Sequence, residues 1–257
     1  MFLVDTHAHL DMLKETPLEE AVKTAKNWGV DYIINVGSSL DGSRKSKELA
    51  ETFDNVFASI GMHPHYARDF KSHEEAIKSL IESNAKKVVA VGETGLDYYR
   101  NQSRREDQKK AFQSQIEIAL EYNLPVIVHD REAHKDTLEI LEQYAGQNNF
   151  RAVLHCFSGN RDFARQILDL GLYISFTGVL TFPNAEKTVE AADFIPMEKI
   201  FVETDAPFLA PQAKRGKENQ PAYVTYIAQK LAEIKQMSFE EVSEITTKNA
   251  IEFFGLK

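Results

Sequence analysis

The sequence predicts an α/β protein with the single-domain (β/α)8 TIM-barrel fold over residues 1–257. Eight short apolar runs alternate along the chain with segments of helical pattern. These runs are continuous rather than alternating in hydrophobicity, which indicates strands buried on both faces, as in parallel sheets. Eight strand–helix units in about 250 residues match the repeat number and size of this barrel.

The predicted strands lie at residues 2–4, 32–36, 56–60, 87–91, 125–128, 152–154, 173–176 and 200–202. Helices are predicted after most strands, with two after the last strand, over residues 223–234 and 238–254. Four helices are predicted to begin with a capping box, a Ser or Thr followed three residues later by Glu; they start at Thr16, Ser72, Ser103 and Ser238. An open doubly wound sheet is the alternative. The first strand lacks a following Gly-x-Gly-x-x-Gly, which excludes the commonest dinucleotide-binding form of that sheet.

The composition is that of a soluble globular protein, with 43% hydrophobic and 27% charged residues. No secretory signal or membrane span is expected, because no apolar run approaches the ~20 residues that a span needs. The single cysteine, Cys156, fits a reducing compartment, so we expect a cytoplasmic protein without an obligate protein partner. A net charge of −9 argues against broad electrostatic attraction to nucleic acid, but it permits phosphate binding through metal cations.

Metal-binding residue types follow the predicted strands. Six of the eight histidines do so, whereas His73 and His134 lie on predicted helices and are interpreted as solvated. In a barrel the carboxyl ends of the strands converge at the face that carries the chemistry. The residues that follow strands in this way are His7, His9, His63, His65, Glu93, His129, His155, Glu203 and Asp205.

This set is larger than one hydrolytic zinc centre needs, since such a centre uses three protein ligands and a water. Two divalent cations, bridged by a carboxylate and a hydroxide, account for it better. Mg, Mn and Zn all fit a mixed His and carboxylate set.

Six motifs in this order resemble those of the TatD family of metal-dependent deoxyribonucleases, and the resemblance covers nearly the whole chain. The motifs are Asp5-Thr6-His7-Ala8-His9, Gly61-Met62-His63-Pro64-His65, Gly92-Glu93-Thr94-Gly95-Leu96-Asp97, His129-Asp130-Arg131, His155-Cys156-Phe157-Ser158-Gly159 and Glu203-Thr204-Asp205-Ala206-Pro207.

The resemblance implies an amidohydrolase-type barrel that binds two divalent cations. Carried over by position, the ligands of the first cation are His7, His9, Glu93 and Asp205. The ligands of the second are Glu93, His129 and His155, with Glu93 bridging.

The implied activity is hydrolysis of DNA phosphodiester bonds from an end, by a hydroxide that bridges the two metals. Asp205 is expected to orient this nucleophile and accept its proton, and His63 to act on the phosphate or the leaving group. The expected substrate is single-stranded DNA or DNA ends. A metal-dependent deacylase or esterase of the same barrel class, for example one acting on aminoacyl-tRNA, is the alternative function. A non-catalytic metal-binding protein is a second alternative.

Five residues are predicted to contact substrate: His65, Arg131, Lys214, Arg215 and Lys217. The last three lie in a loop that carries a local charge of +2 when Glu218 is included. Members of the family often have Asn-Glu-Pro in this loop. Here the sequence is Asn219-Gln220-Pro221, and Glu218 precedes it.

Other polar residues near the motifs have two possible roles. Glu203 is interpreted as a partner that holds a His or Lys rather than as a ligand. Asp5 and Asp97 either orient metal ligands or cap the backbone. Tyr98 and Tyr99 either pack against the protein or stack on bases.

Overall fold

A computed structural model of the protein describes residues 2–83, 86–147 and 149–257. In this part of the chain eight strands belong to one sheet in the order β1 to β8. The strands are β1 (Leu3–Ala8), β2 (Val30–Val36), β3 (Val56–Ile60), β4 (Val88–Asp97), β5 (Val126–Arg131), β6 (Ala152–Leu154), β7 (Tyr173–Phe176) and β8 (Ile200–Val202). This strand order, with helices between the strands, confirms the (β/α)8 barrel class.

The α-helices of the described residues are α1 (Leu18–Asn27), α2 (Leu40–Thr52), α3 (Phe70–Ser83), α4 (Arg105–Glu121), α5 (His134–Glu142), α6 (Arg161–Asp169), α7 (Glu186–Phe194), α8 (Val224–Lys235) and α9 (Phe239–Phe254). Helix α7 was not predicted from the sequence. It buries Thr188 and two alanines, so its apolar stripe is too weak to be read as a helix. None of the helices in the described ranges is long and apolar enough to cross a membrane.

Three of the four predicted capping boxes are wrong, and only the one at Ser238 is confirmed. Helix α1 begins after Pro17, without a side-chain cap. Helix α3 begins at Phe70, directly after a 3-10 helix over Pro64–Asp69. Helix α4 follows Arg104, because the Ser103 hydroxyl instead donates to the carbonyl oxygen of His65 at 2.8 Å.

The chain forms two compact units. The terminal unit comprises the residues up to Asn35 together with Cys156–Leu168 and Tyr173–Lys257, and the central unit comprises Val36–His155 and Asp169–Leu172. The predicted organisation as one domain over the whole chain stays a prediction.

In the terminal unit, β1 pairs with β2 and β7 with β8, all in parallel. A further bridge pairs Ala8 with Ala206, so the end of β1 lies beside the segment that follows β8. Every residue of β1 is buried. The core of this unit includes Phe201, whose ring stacks on Tyr173 at 5.0 Å and packs against Phe253 of α9 at 5.1 Å.

In the central unit, β3, β4, β5 and β6 pair in parallel in that order. All ten residues of β4 are buried, including the polar ones at its carboxyl end. Helix α4 covers this strand with a stripe that includes Phe112 and Ile116, as its helical spacing predicts. The burial of a strand that contains Glu93 and Asp97 means that these carboxylates need polar partners.

Candidate metal centre

The terminal unit brings together His7, His9 and Asp205, which we call the terminal donor group. His7 and His9 lie two residues apart at the end of β1, so their side chains share one side of the strand. Their Nε2 atoms are 3.2 Å apart. The Asp205 Oδ1 atom is 3.8 Å from Nε2 of His7 and 3.5 Å from Nε2 of His9. All three side chains therefore aim donor atoms at one point.

Asp205 is held in place by the chain around it. Its backbone has φ 57°, in the left-handed region, which costs a non-glycine residue about 1–3 kcal/mol in general. Its N–H donates to the carbonyl oxygen of His7 at 2.8 Å. The preceding residue, Thr204, donates from its N–H and its hydroxyl to the buried carboxyl of Asp5, at 2.8 and 2.5 Å. Asp5 therefore fixes the segment after β8 to β1, and burial raises the pKa of Asp5 to about 8.

The central unit brings together Glu93, His129, His155 and His63, which we call the central donor group. Oε1 of Glu93 lies 2.7 Å from Nδ1 of His129 and 2.8 Å from Nε2 of His155. The two histidine nitrogens are 3.2 Å apart. Nε2 of His63 is 3.6 Å from the same Glu93 oxygen. One buried carboxylate oxygen is thus surrounded by imidazole nitrogens from three strand ends.

The charges of the central donor group follow from these contacts. Burial opposes ionisation of Glu93, but the charge of His155 and the hydrogen bonds from His129 and His155 outweigh it and hold the pKa of Glu93 well below its usual value. Burial also opposes protonation of His129, yet the nearby carboxylate of Asp97 and the hydrogen-bonded carboxylate of Glu93 raise its pKa. For His63 burial dominates and lowers the pKa well below 6.5. Glu93 is therefore ionised and His63 neutral at pH 7.

Asp97 supports the central donor group from one side. Its Oδ2 atom is 2.8 Å from Nε2 of His65 and 3.6 Å from Nε2 of His129. The N–H of Arg100 donates to its other oxygen at 2.8 Å. Metal-ligating histidines commonly have a carboxylate behind the ring in this way. Asp97 therefore orients His65 and His129.

The donor chemistry of both groups fits a divalent cation. In the terminal donor group, the nitrogen and oxygen atoms lie within 4.8 Å of one another, and so do those of His63, Asp97 and His129 in the central unit. Imidazole and carboxylate donors bind Zn, Mn and related divalent metals. Each group alone offers three or more such donors. The assignment of all six predicted ligands to one pair of cations stays a prediction.

A family model described as TatD related DNase matches residues 4–255 of the chain. The chain belongs to this family. It is 42% identical over 256 residues to the metal-dependent hydrolase YabD of Bacillus subtilis, covering 99% of both proteins. It is 34% identical over 244 residues to the 3′-5′ ssDNA/RNA exonuclease TatD of Citrobacter koseri, covering 93% of both. The chain is thus an enzyme, a metal-dependent hydrolase.

The solved structure of the TatD homologue YJJV of Escherichia coli has the same fold. It superposes with a TM-score of 0.89 at 28% identity and covers 99% of this chain and 98% of its own. This similarity supports the barrel assignment independently of the sequence pattern.

The predicted substrate contacts of this TatD-related chain have different surroundings. The guanidinium of Arg131 lies 4.1 Å over the ring of Tyr99, and both side chains are exposed. His65 is held by Asp97 and lies beside His63, with the ring centres 4.1 Å apart. Lys217 is exposed, in the loop that follows β8. These positions are compatible with phosphate contacts, which stay predictions.

Lys214 lies among aromatic rings. Its Nζ atom is 5.9 Å from the ring centre of Trp28, 5.2 Å from that of Tyr223 and 5.6 Å from that of Tyr226. A cation within about 6 Å of a ring centre is attracted to the face of the ring. These rings compete with a phosphate for Lys214. Arg215 likewise stacks on Phe182, at 4.9 Å.

The carboxylate of Glu203 accepts a hydrogen bond from the backbone of another segment. Its Oε1 atom accepts the N–H of Cys156 at 2.7 Å, and its Oε2 atom lies 3.4 Å from the hydroxyl of Thr6. Cys156 has φ 47°, so this contact fixes a strained residue directly after His155. The expected His or Lys partner is not among these contacts.

Sequence reasoning missed two residues that build the site from a distance. Asn219 is fully buried and donates to the carbonyl oxygens of Thr204 and Phe208, at 2.8 and 2.5 Å. Asn35 accepts the N–H of Leu10 at 2.6 Å. Both fix loops that carry predicted metal ligands. The sequence contains one hint for each residue. Asn35 is the one amide within an apolar strand run, and Asn219 matches the Asn of the family's Asn-Glu-Pro loop.

Proposed function

We propose that this protein is a metal-dependent exonuclease that hydrolyses DNA phosphodiester bonds from an end. The central donor group, in which one buried, ionised carboxylate meets three imidazoles, is the observation that carries the proposal. The family is that of TatD-related DNases, and the Citrobacter koseri relative is named an ssDNA/RNA exonuclease. We further propose two divalent cations, with His7, His9, Glu93 and Asp205 as ligands of one and Glu93, His129 and His155 as ligands of the other.

When bound, a pair of divalent cations lowers the pKa of water and stabilises the attacking and leaving oxygens of an in-line displacement. Asp205 orients the attacking water and accepts its proton. Its carboxylate suits this role because its side chain is 14% exposed, whereas that of Glu93 is 5% exposed. Water therefore reaches Asp205 more readily.

His63 is set up to donate a hydrogen bond. The N–H of His65 donates to Nδ1 of His63 at 3.1 Å, so in the neutral ring the proton is on Nε2. That Nε2–H points towards the central donor group and is available to a phosphoryl oxygen. Because its pKa is lowered, His63 remains neutral and does not compete with cations for the site. His65, Arg131, Lys214, Arg215 and Lys217 are the proposed substrate contacts.

The decisive test is an assay of chelator-treated protein reloaded with Mg, Mn or Zn. Single- and double-stranded DNA and RNA, each labelled at one end, are offered side by side with a panel of esters and an aminoacyl-tRNA. We expect metal-dependent release of nucleotides from one DNA end. Hydrolysis confined to the esters or to aminoacyl-tRNA would establish the deacylase alternative and overturn the proposal.

The Asp205→Asn variant tests the proton acceptor. Loss of a general base typically lowers the rate about 10²–10⁴-fold, so we expect a loss of this size with unchanged thermal melting. His73→Gln, on helix α3 and outside both donor groups, is the matched control and should retain wild-type activity. An Asp205→Asn enzyme that cleaves DNA at the wild-type rate would remove Asp205 from this role.

A further inference from the structure

An exposed aromatic ring lies next to the central donor group. Tyr99 is 64% exposed, more than any other large hydrophobic side chain in the described ranges. The guanidinium of Arg131 lies 4.1 Å from its ring centre. We call these two residues the Tyr99–Arg131 pair. Such a ring contributes little to the core and is accessible to an external partner.

The Tyr99–Arg131 pair is fixed relative to the metal ligands. Arg131 follows His129 by two residues on β5, a rise of roughly 7 Å, and lies on the same side of the strand. In the parallel register Arg131 is opposite Asp97, which contacts both His65 and His129. The N–H of Tyr98 donates to the carbonyl oxygen of Arg131 at 2.9 Å. The pair is therefore carried by paired strand ends rather than by a free loop.

The neighbouring tyrosine already has partners. The hydroxyl of Tyr98 donates to Asp136 at 2.6 Å, and Arg105 lies 4.1 Å over its ring. Tyr98 is half-buried, whereas Tyr99 is exposed. The packing role is thus met by Tyr98, and the stacking role is left to Tyr99.

We propose that the Tyr99–Arg131 pair binds the nucleotide next to the cleaved linkage, with Tyr99 stacking on its base and Arg131 contacting its phosphate. This inference rests on the proposed nuclease function and names its substrate class as a single-stranded polynucleotide. Base–aromatic stacking is available for any base, provided that the base is unstacked from its neighbours. Inside a duplex both faces of every base behind the terminal pair are covered, so a paired end has to fray before the base next to the cleaved linkage can stack on Tyr99. The pair therefore selects single strands by conformation rather than by sequence.

Binding can be measured apart from catalysis with the full-length, metal-loaded protein. The probe is a phosphorothioate-linked DNA single strand with 2-aminopurine next to the terminal linkage, and a matched strand has an abasic unit there. Tyr99→Ala should weaken binding of the base-bearing strand about 10- to 100-fold and remove the quenching of 2-aminopurine. It should leave binding of the abasic strand unchanged. Tyr99→Phe keeps the ring and should behave as the wild type.

The charge of Arg131 is tested separately. Arg131→Gln should weaken binding of both strands, because the phosphate is present in each. The controls are Phe2→Ala, an exposed ring at the start of β1, and Arg104→Gln, an exposed arginine paired with Asp107. Both controls should bind as the wild type. A Tyr99→Ala effect below twofold, an equal loss on the abasic strand, or no binding of either strand by the wild type would overturn the inference.

The two proposals fail in different ways. If Tyr99 governs strand binding but no metal supports hydrolysis of any nucleic acid, the nuclease function fails while the binding surface stands. If single-stranded DNA is hydrolysed with the same KM by the wild type and by Tyr99→Ala, the nuclease function stands and the stacking role is overturned.

Discussion

The two donor groups use similar residues in different ways. In the terminal donor group, the imidazoles of His7 on β1 and of His9 directly after β1 face a carboxylate at 3.5–3.8 Å. In the central donor group, the carboxylate of Glu93 lies in the middle, at 2.7 and 2.8 Å from histidines of two other strand ends. The central group is thus organised around a buried charge. The terminal group is organised around a pair of rings and leaves its carboxylate accessible to water.

We expect this difference to separate substitutions that destabilise the fold from substitutions that mainly slow the reaction. Removing a charged partner from a buried cluster leaves polar atoms without hydrogen bonds, which destabilises the fold. Glu93 is such a partner, so under the proposed ligand assignment we expect its loss to affect both folding and metal binding. Asp205 is more open, so we expect its loss to affect mainly the proposed reaction. The predictions below test this contrast, from the largest expected effect to the smallest.

The largest difference is expected in metal content. If Glu93 binds both cations, the Glu93→Gln protein should retain neither metal ion. The His9→Gln protein, changed in the terminal donor group, should lose only one. The bound metal is counted by mass spectrometry after dialysis, with His73→Gln as the control. A Glu93→Gln protein that retains two ions per chain would show that this carboxylate does not bridge.

The same contrast is expected in the stability of the metal-free protein. Glu93→Gln should lower the free energy of unfolding by about 1–3 kcal/mol, because the imidazoles of His129 and His155 lose a charged acceptor. Asp205→Asn should lower it by a smaller amount, because the carboxylate of Asp205 lies 3.5–3.8 Å from its two imidazoles, farther than the carboxylate of Glu93 lies from His129 and His155. Urea unfolding in the presence of chelator measures both. Equal destabilisation by the two variants would refute the division of roles.

A smaller effect distinguishes the three cations after β8. Neutralising Lys214, Arg215 and Lys217 together should weaken DNA binding and reduce its salt dependence. Among the single variants, Lys217→Gln should reduce the slope of log affinity against log salt by about one. Lys214→Gln should reduce it less, because its ammonium is held by aromatic rings, and should lower stability by about 0.5–1 kcal/mol. An unchanged slope in the triple variant would show that the loop does not contact phosphate.

Topology explains which of the predicted donor residues the structure brings close together. Strand alternation puts His7 and His9 on one side, and the barrel order puts the ends of β4, β5 and β6 next to one another. The residues that fix these ligands were not predictable in the same way. The contact of Asp5 with Thr204 joins positions that are far apart in the chain, and only the folded structure brings them together.

Two predicted capping boxes do not form because a residue that is distant in sequence binds one of the atoms that the box needs. The Ser103 hydroxyl bonds the backbone of His65 instead of capping α4. The start of α1 has the sequence of a capping box, but the N–H of Thr16 donates to Glu218. The box at Ser238 was predicted correctly, since both of its hydrogen bonds are local. At Thr16 and Ser103 a distant partner therefore takes an atom that the capping box needs, whereas the Ser72 hydroxyl donates to the local carbonyl oxygen of Asp69.

The smallest expected effect concerns Glu218, in the loop where the family often has Asn-Glu-Pro. Its carboxylate accepts the N–H groups of Lys14, Glu15 and Thr16, at 2.6–3.1 Å, and so ties the loop after β8 to the loop after β1. Burial opposes ionisation of Glu218, but these backbone hydrogen bonds outweigh it and lower its pKa.

Because the pKa of Glu218 is lower in the folded protein, its contribution to stability is fully present above the usual glutamate pKa of 4.5 and is lost as the pH falls through the lowered value. Glu218→Gln should therefore be about 1 kcal/mol less stable than the wild type at pH 7. The gap should narrow below about pH 4.5, as protonation removes the same charge from the wild type. Urea unfolding at pH 7 and pH 3.5 measures it. A gap that is constant with pH would mean that the loop is held by the shape of the side chain and not by its charge.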